Sequence, residues 1–176
     1  MYYGPDSKAG VTPCSPGKMY MFVNNAMPGN PRIDPEHGID RLREIIADFG
    51  GVIATVREGL GPHSALNYRP LEALLLPRPW SKGRVGLLGD AVHATTPHLA
   101  SGAGLAVEDG LILAELMTAA PSVPEGWRRF EERRWERSRL VVETSVKLGQ
   151  MELDHVDSSE QTRVFGAAVA ALAEPI

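Results

Sequence analysis

Apolar positions along this chain fall into two regimes. Up to about residue 35 they come in short β-prone groups: Tyr2, Tyr3, Val11, and the run Met19-Tyr20-Met21-Phe22-Val23. Turn formers divide them, at Gly4-Pro5-Asp6, Gly10, Pro13 and Ser15-Pro16-Gly17. The pattern predicts two short strands joined by a turn. Asn24 to Pro35, rich in Pro, Gly and Asn, reads as loop. The period then lengthens. Ile39, Leu42, Ile45, Ile46 and Phe49 recur at helical spacing before Gly50-Gly51, which predicts a helix over 37–49. Val52 to Leu60 reads as a second short helix or turn. Ser64 to Leu76 reads as a strand closed by Pro77-Arg78-Pro79.

Beyond residue 80 the signal sharpens. Gly83-Arg84-Val85-Gly86-Leu87-Leu88-Gly89-Asp90 is a short apolar run ending in Gly-Asp, the look of a buried strand in a layered α/β core. A loop follows from Ala91 to Ser101. Gly102 to Met117 then reads as a helix that is apolar nearly all round, interrupted by Glu108, Asp109 and Glu115, so it is expected to be buried within a larger body. Pro121 to Pro124 is a linker. Glu125 to Leu148 reads as a charged helix with Trp127, Phe130, Val141 and Leu148 on one stripe, and Val164 to Leu172 as a short docking helix. The chain offers few strands to build a sheet around Val85 to Leu88, which suggests that a partner segment lies elsewhere.

Composition narrows the class. The 176 residues are 43% hydrophobic and 23% charged, with a formal charge of −4. These are soluble-globular values, and they give no general attraction for nucleic acid or anionic lipid. The single cysteine, Cys14, excludes an internal disulfide and a multi-cysteine zinc site. Met1 to Asp6 has neither the basic start nor the apolar core of a signal peptide, and no run reaches the ~18 apolar residues of a bilayer span. A cytoplasmic location is the default expectation, with no membrane and no nucleic acid as partners.

The residues after the Gly-Asp turn carry a chemical logic. A strand that ends in Asp90 presents a carboxylate at the edge where ligands bind in open α/β sheets. Such a group accepts hydrogen bonds from sugar or polyol hydroxyls. The small-residue loop then enters a helix at Gly102-Ala103-Gly104. Exposed N–H groups and the positive end of the helix dipole favour a negative group there, and glycines allow a flat ligand close to the backbone.

Gly83 to Met117, read as GRVGLLGDAVHATTPHLASGAGLAVEDGLILAELM, resembles the second FAD-binding motif of the flavin-dependent aromatic hydroxylases, the single-component monooxygenases similar to salicylate hydroxylase and 4-hydroxybenzoate hydroxylase. Lys8 to Pro13, Tyr68-Arg69-Pro70-Leu71 and Pro79-Trp80 resemble the substrate-side domain, and the helix from Trp127 resembles the one after the motif. The resemblance covers most of the chain but only about the second half of the family's usual length. It implies an α+β chain, the C-terminal portion of an FAD/NAD(P)-binding α/β flavoprotein, with antiparallel substrate-domain strands, then strand, loop and long helix, then C-terminal helices. The implied bounds are 1–79 for part of the substrate domain, 80–120 for completion of the FAD domain and 121–176 for the final helices.

By the same resemblance Asp90 binds the ribityl hydroxyls of FAD, Pro97 lies near the ring edge, and Gly102, Ala103 and Gly104 place N–H groups near N1 and the C2 carbonyl. The implied reaction is hydroxylation of a small aromatic or heteroaromatic compound with NAD(P)H and O2. The N-terminal G-x-G-x-x-G and the middle Asp-Gly motif of the family do not occur in these residues. A separate N-terminal half or a second copy is therefore the candidate protein partner. Ser101 stands where many members have Gln, and Gly110 where Ala is usual. Two other readings stay open: a catalytically inactive half-protein, and a reductase or halogenase of the same superfamily.

Blander readings compete at single residues. His93 and His98 are five apart but lack an evident third metal ligand, so a packed or backbone-bonded His93 is favoured and no metal is expected. Asp90, His93 and Ser101 have no G-x-S-x-G around the serine, which argues against a hydrolase triad. Cys14 reads as a buried thiol. Arg128, Arg129, Arg133, Arg134, Arg137 and Arg139 alternate with Glu131, Glu132 and Glu136. They read as a solvated, salt-bridged helix face with Glu132–Arg129 and Glu136–Arg133 pairs. Trp80, Trp127 and Trp135 read as core or interface residues.

Overall fold

A long hairpin organises the first seventy residues. The computed structural model describes the backbone of residues 1–176 and the side chains of all but Pro35. Its residues form two compact units, Met1–Pro70 and Leu71–Ile176.

In the first unit, β1 (Tyr2–Tyr3), β2 (Ser7–Ser15) and β3 (Lys18–Asn25) make an antiparallel sheet in sequence order. The β2–β3 turn falls at Pro16-Gly17, where Gly17 takes φ +71, as the turn formers predict. Period-two alternation sends Ala9, Val11, Met21 and Val23 to one face. They meet Leu42, Ile46, Phe49 and Ile53 of the helices α1 (Gly38–Ile45) and α2 (Gly51–Gly59) and the turn between them. Arg57 closes that turn by donating to the carbonyls of Ile46 at 2.7 Å and Phe49 at 3.3 Å, groups left over at the end of a helix. Cys14 is exposed, not buried. It lies where the β2–β3 register shifts between Pro13 and Ser15, at the exposed tip of the hairpin.

The second unit is helical. Its elements are β4 (Ser81–Lys82), β5 (Val85–Gly86), the one-turn α3 (Asp90–His93), α4 (Gly102–Ala119), α5 (Val123–Leu153) and α6 (Ser158–Leu172). Ser122 caps α5 by accepting the Glu125 N–H, and Asp157 caps α6 by accepting that of Ser159. Two clusters form along α5. Trp127 and Phe130 meet Trp80, Val92 and Ile112 near its start; Leu148 and Met151 meet Leu99, Val164 and Ala168 near its end.

Three expectations need correction. The run from Ser64 to Leu76 is not a ladder strand. It is extended, and its Leu74 and Leu76 N–H groups donate to the carbonyls of Ala94 and Val92, both at 2.8 Å. Val85 to Leu88 is not a buried strand either. Only Val85–Gly86 pairs, with Ser81–Lys82, and Val85 and Leu87 are 72% and 44% exposed. A buried strand needs neighbours on both sides, and the described residues supply β4 on one side only. Finally, α4 is not enclosed. Leu105, Asp109 and Ile112 are buried, but Val107 and Leu111 are 65% and 63% exposed.

Candidate functional site

Gly89 begins the site. It takes φ +60, a conformation that a side chain disfavours, and so turns the chain sharply from β5 into α3. Asp90 follows at the exposed head of that turn of helix. Val92 at its back is fully buried in the tryptophan cluster. Pro97 opens a short 3-10 turn over Pro97–Leu99, and Leu99 anchors it against Leu148 and Met151. Ala100 then takes φ +51, in the left-handed region where an alanine costs about 1–2 kcal/mol. That twist directs the chain into α4.

These segments enclose an open cleft of about 530 Å³. Asp90 and Thr95 to Pro97 form one wall, and Ala100 to Ala103 with Ala106 form the other. Among the described residues no side chain pairs with the Asp90 carboxylate. The first turn of α4 has no acidic residue and no side-chain cap, since the Ser101 hydroxyl donates instead to the Leu99 carbonyl at 2.9 Å. An exposed carboxylate and an uncapped helix start thus line the same cleft, among small residues. That arrangement suits a ligand with hydroxyls at one end and an electron-rich carbonyl edge at the other.

Behind the cleft lies a charged cluster with little access to water. Asp109 of α4 is completely buried. Its Oδ2 accepts from the Gly89 N–H at 2.9 Å and from His93 Nε2 at 2.6 Å. Its Oδ1 accepts from Arg134 Nε at 2.7 Å. Arg134, 1% exposed, also donates to Glu108 at 2.8 Å. Glu108 in turn takes both Nε and Nη2 of Arg137 at 2.7 Å, and Arg137 reaches the Leu172 carbonyl at the end of α6 at 2.8 Å.

Burial alone would raise the Asp109 carboxyl, but the hydrogen bonds from His93, Gly89 and Arg134 together hold it below the ordinary aspartate value. Arg137 holds Glu108 low as well, against the opposing effect of burial and with Arg134 adding to it. Both folded values thus lie below the unfolded ones. The stability they contribute is complete above about pH 5 and is lost as pH falls through the lowered values. The expected melting temperature is flat from neutral pH to about 5 and drops below about 4. Asp109→Asn should flatten that drop. Thermal melts followed by circular dichroism across this range check it, and an acid slope that Asp109→Asn leaves unaltered contradicts it.

The residues singled out from sequence are distributed as follows. Asp90, Pro97, Gly102 and Ala103 line the cleft; Gly104 does not. A Cβ on Gly102 would lie 3.0 Å from the Thr95 methyl, so close packing against Thr95 already accounts for that glycine, whereas Gly104 faces open space. His93 is packed as expected, but its partner is the Asp109 carboxylate. His98 Nδ1 lies 2.9 Å from Thr96 Oγ1 and its Nε2 3.5 Å from Glu152. The three residues of the triad alternative are not assembled, since His93 meets Asp109 and Ser101 meets Leu99.

The arginine helix is salt-bridged, though with other partners than the spacing suggested. Arg128 pairs with Glu125 and Glu132, Arg133 crosses to Glu115 on α4, and Arg134 faces inward. Asp109 and Arg134 form a buried pair behind the cleft that the spacing did not anticipate. The signal was present: Arg134 falls on the same helical stripe as Trp127, Phe130 and Val141.

Residues 72–145 match the family described as FAD binding domain. The chain is 30% identical over 154 residues to an aurachin C monooxygenase/isomerase of Stigmatella aurantiaca, covering 85% of this chain and 38% of that one. It is 32% identical over 151 residues to a 2-heptyl-3-hydroxy-4(1H)-quinolone synthase of Pseudomonas aeruginosa, covering 85% and 39%. Among solved structures it is similar to Klebsiella pneumoniae HpxO complexed with FAD and uric acid, with a TM-score of 0.74 at 23% identity over 94% of this chain and 42% of that one. That likeness shows the fold alone, shared with part of the HpxO chain. The chain spans less than half the length of the curated relatives it matches.

Proposed function

We propose, on the premise that residues 72–145 belong to the FAD binding domain family, that the cleft beside Asp90 receives the ribityl and ring portion of FAD. The complete protein is then an FAD-dependent monooxygenase that hydroxylates a small aromatic or heteroaromatic compound with NAD(P)H and O2. The observation that carries this reading is the pairing of an unpartnered carboxylate with an uncapped helix start across a cleft of ligand size.

The residues present fit the group. Asp90 accepts hydrogen bonds from ribityl hydroxyls. The N–H groups at Gly102 and Ala103, with the dipole of α4 behind them, would favour negative charge on a bound ring. Pro97 would lie beside the ring, and Gly104 continues the same helix start outside the cleft lining. When bound, the flavin would supply the redox chemistry between NAD(P)H and O2, and the chain would orient it. Residues 1–79 would contribute to the substrate side. The flat heteroaromatic compounds named with the quinolone synthase and the HpxO complex support the substrate class.

A second reading is favoured by the exposed face of α4. Val107 and Leu111 form a helical strip open to solvent. An N-terminal dinucleotide-binding half docked there would supply the pyrophosphate and adenosine contacts, and the 176 residues alone would then be catalytically inert. A reductase or halogenase of the same superfamily would differ by oxidising NAD(P)H without forming a hydroxylated product.

FAD titrated into the purified chain and followed by flavin fluorescence tests the site. The expected result is saturable binding that Asp90→Ala weakens about 10- to 100-fold, the loss of a charge-assisted hydrogen bond. Because Asp90 is exposed, the melting temperature should not move. Equal affinity in the two proteins sinks the assignment, whereas no saturable binding in either favours the second reading, in which a docked N-terminal half completes the site.

A further inference from the structure

We propose that Asp109 is a positioning residue, a buried strut that sets the aim of Asp90 without touching the ligand. The claim rests on the reading of the cleft as a ligand site. The turn that carries Asp90 is only four residues long. At its start the Val92 and His93 N–H groups both donate to the Gly89 carbonyl at 3.0 Å. A helix of one turn does not hold itself, because so few bonds cannot offset the backbone freedom lost. Its shape must be imposed from outside.

Asp109 does so with a division between its two oxygens. Oδ2 takes the N–H of Gly89, which opens the turn, and Nε2 of His93, which ends it. One atom thereby closes both ends of the segment around Asp90. Oδ1 takes Arg134, which fixes the carboxylate itself to α5. Asp109 sits on the helix whose first turn forms the opposite wall of the cleft. The carboxylate therefore sets the separation and orientation of the two walls, while it lies wholly buried behind them.

The test uses the 176-residue chain and three variants: Asp109→Asn, His93→Gln and His93→Leu. Amide exchange by NMR is the first readout, and FAD affinity is the second. In Asp109→Asn, exchange at Gly89, Val92 and His93 should rise at least tenfold, while Phe130 and Val141 of α5 keep their rates. The Kd for FAD should rise about tenfold in the folded protein. His93→Gln keeps an N–H donor near the Nε2 position and should return both readouts toward those of the parent; His93→Leu should not. If Asp109→Asn fails to fold, the His93 pair carries the test, because it leaves the Arg134 contact intact.

Unchanged exchange at Gly89, Val92 and His93, or an equal rise at Phe130 and Val141, overturns the proposal, since the second pattern marks a merely structural role. The two ideas fail separately. A parent chain and Asp90→Ala that bind FAD alike refute the cofactor reading, while exchange in the turn still decides the role of Asp109.

Discussion

Arg134→Ala is expected to lower the unfolding free energy by about 3–5 kcal/mol, the range for removing one partner of a buried ion pair. Arg134 is 1% exposed and Asp109 not at all, so the loss strands a carboxylate where water cannot reach it. Glu108 loses one of its two guanidinium partners at the same time. A stability of 5–15 kcal/mol is ordinary for a domain, so this change consumes a large fraction of it. The double variant Arg134→Met with Asp109→Leu should recover only part of the loss: it removes the stranded charge but leaves the Gly89 N–H and His93 Nε2 without their acceptor. Urea unfolding of the parent, the single and the double variant makes the comparison. A single variant that costs under about 1 kcal/mol would mean that the pair behaves like an exposed one.

The second large effect is expected at Trp80. Trp80→Ala should cost about 3–5 kcal/mol through lost transfer energy and the cavity left behind. The indole is 2% exposed, lies 6.2 Å from the Phe130 ring and 5.9 Å from those of Trp135 and His93, and donates its Nε1–H to the Leu76 carbonyl at 2.8 Å. It joins the extended run after residue 70 to the start of α5. Trp80→Phe keeps most of the apolar volume but strands that carbonyl, so about 1–2 kcal/mol is expected. Equal losses in the two variants would refute the division between packing and hydrogen bond. The same urea series reads both.

Local period made much of this fold legible. The Pro16-Gly17 hairpin, the helix from Gly38, the charged α5 and the docking α6 follow from spacing and breakers within the segment itself. The misreadings share a cause. Ser64 to Leu76 and Val85 to Leu88 have the composition of strands, but a strand exists only if another pairs with it, and pairing is a tertiary fact. The cleft residues Asp90, Pro97, Gly102 and Ala103 were reached through a motif, whose order and spacing encode a loop directly. Asp109 and Arg134 escaped for the opposite reason. Each looks like an ordinary charge on its own helix, and only the meeting of α4 with α5 makes them partners.

The carboxylate of Asp109 gathers three donors from two separate stretches of chain, residues 89 and 93 on one and 134 on the other. For sequence drift this is a ratchet. Any single step away strands a buried charge or polar group, so the accessible routes change several positions together or none. Glycine at 89 is tied twice, once by its amide and once by its left-handed turn. Divergence should therefore run freely over the exposed charges of α5 and stall at these positions, and a lineage that abandons Arg134 should abandon the acid at 109 with it.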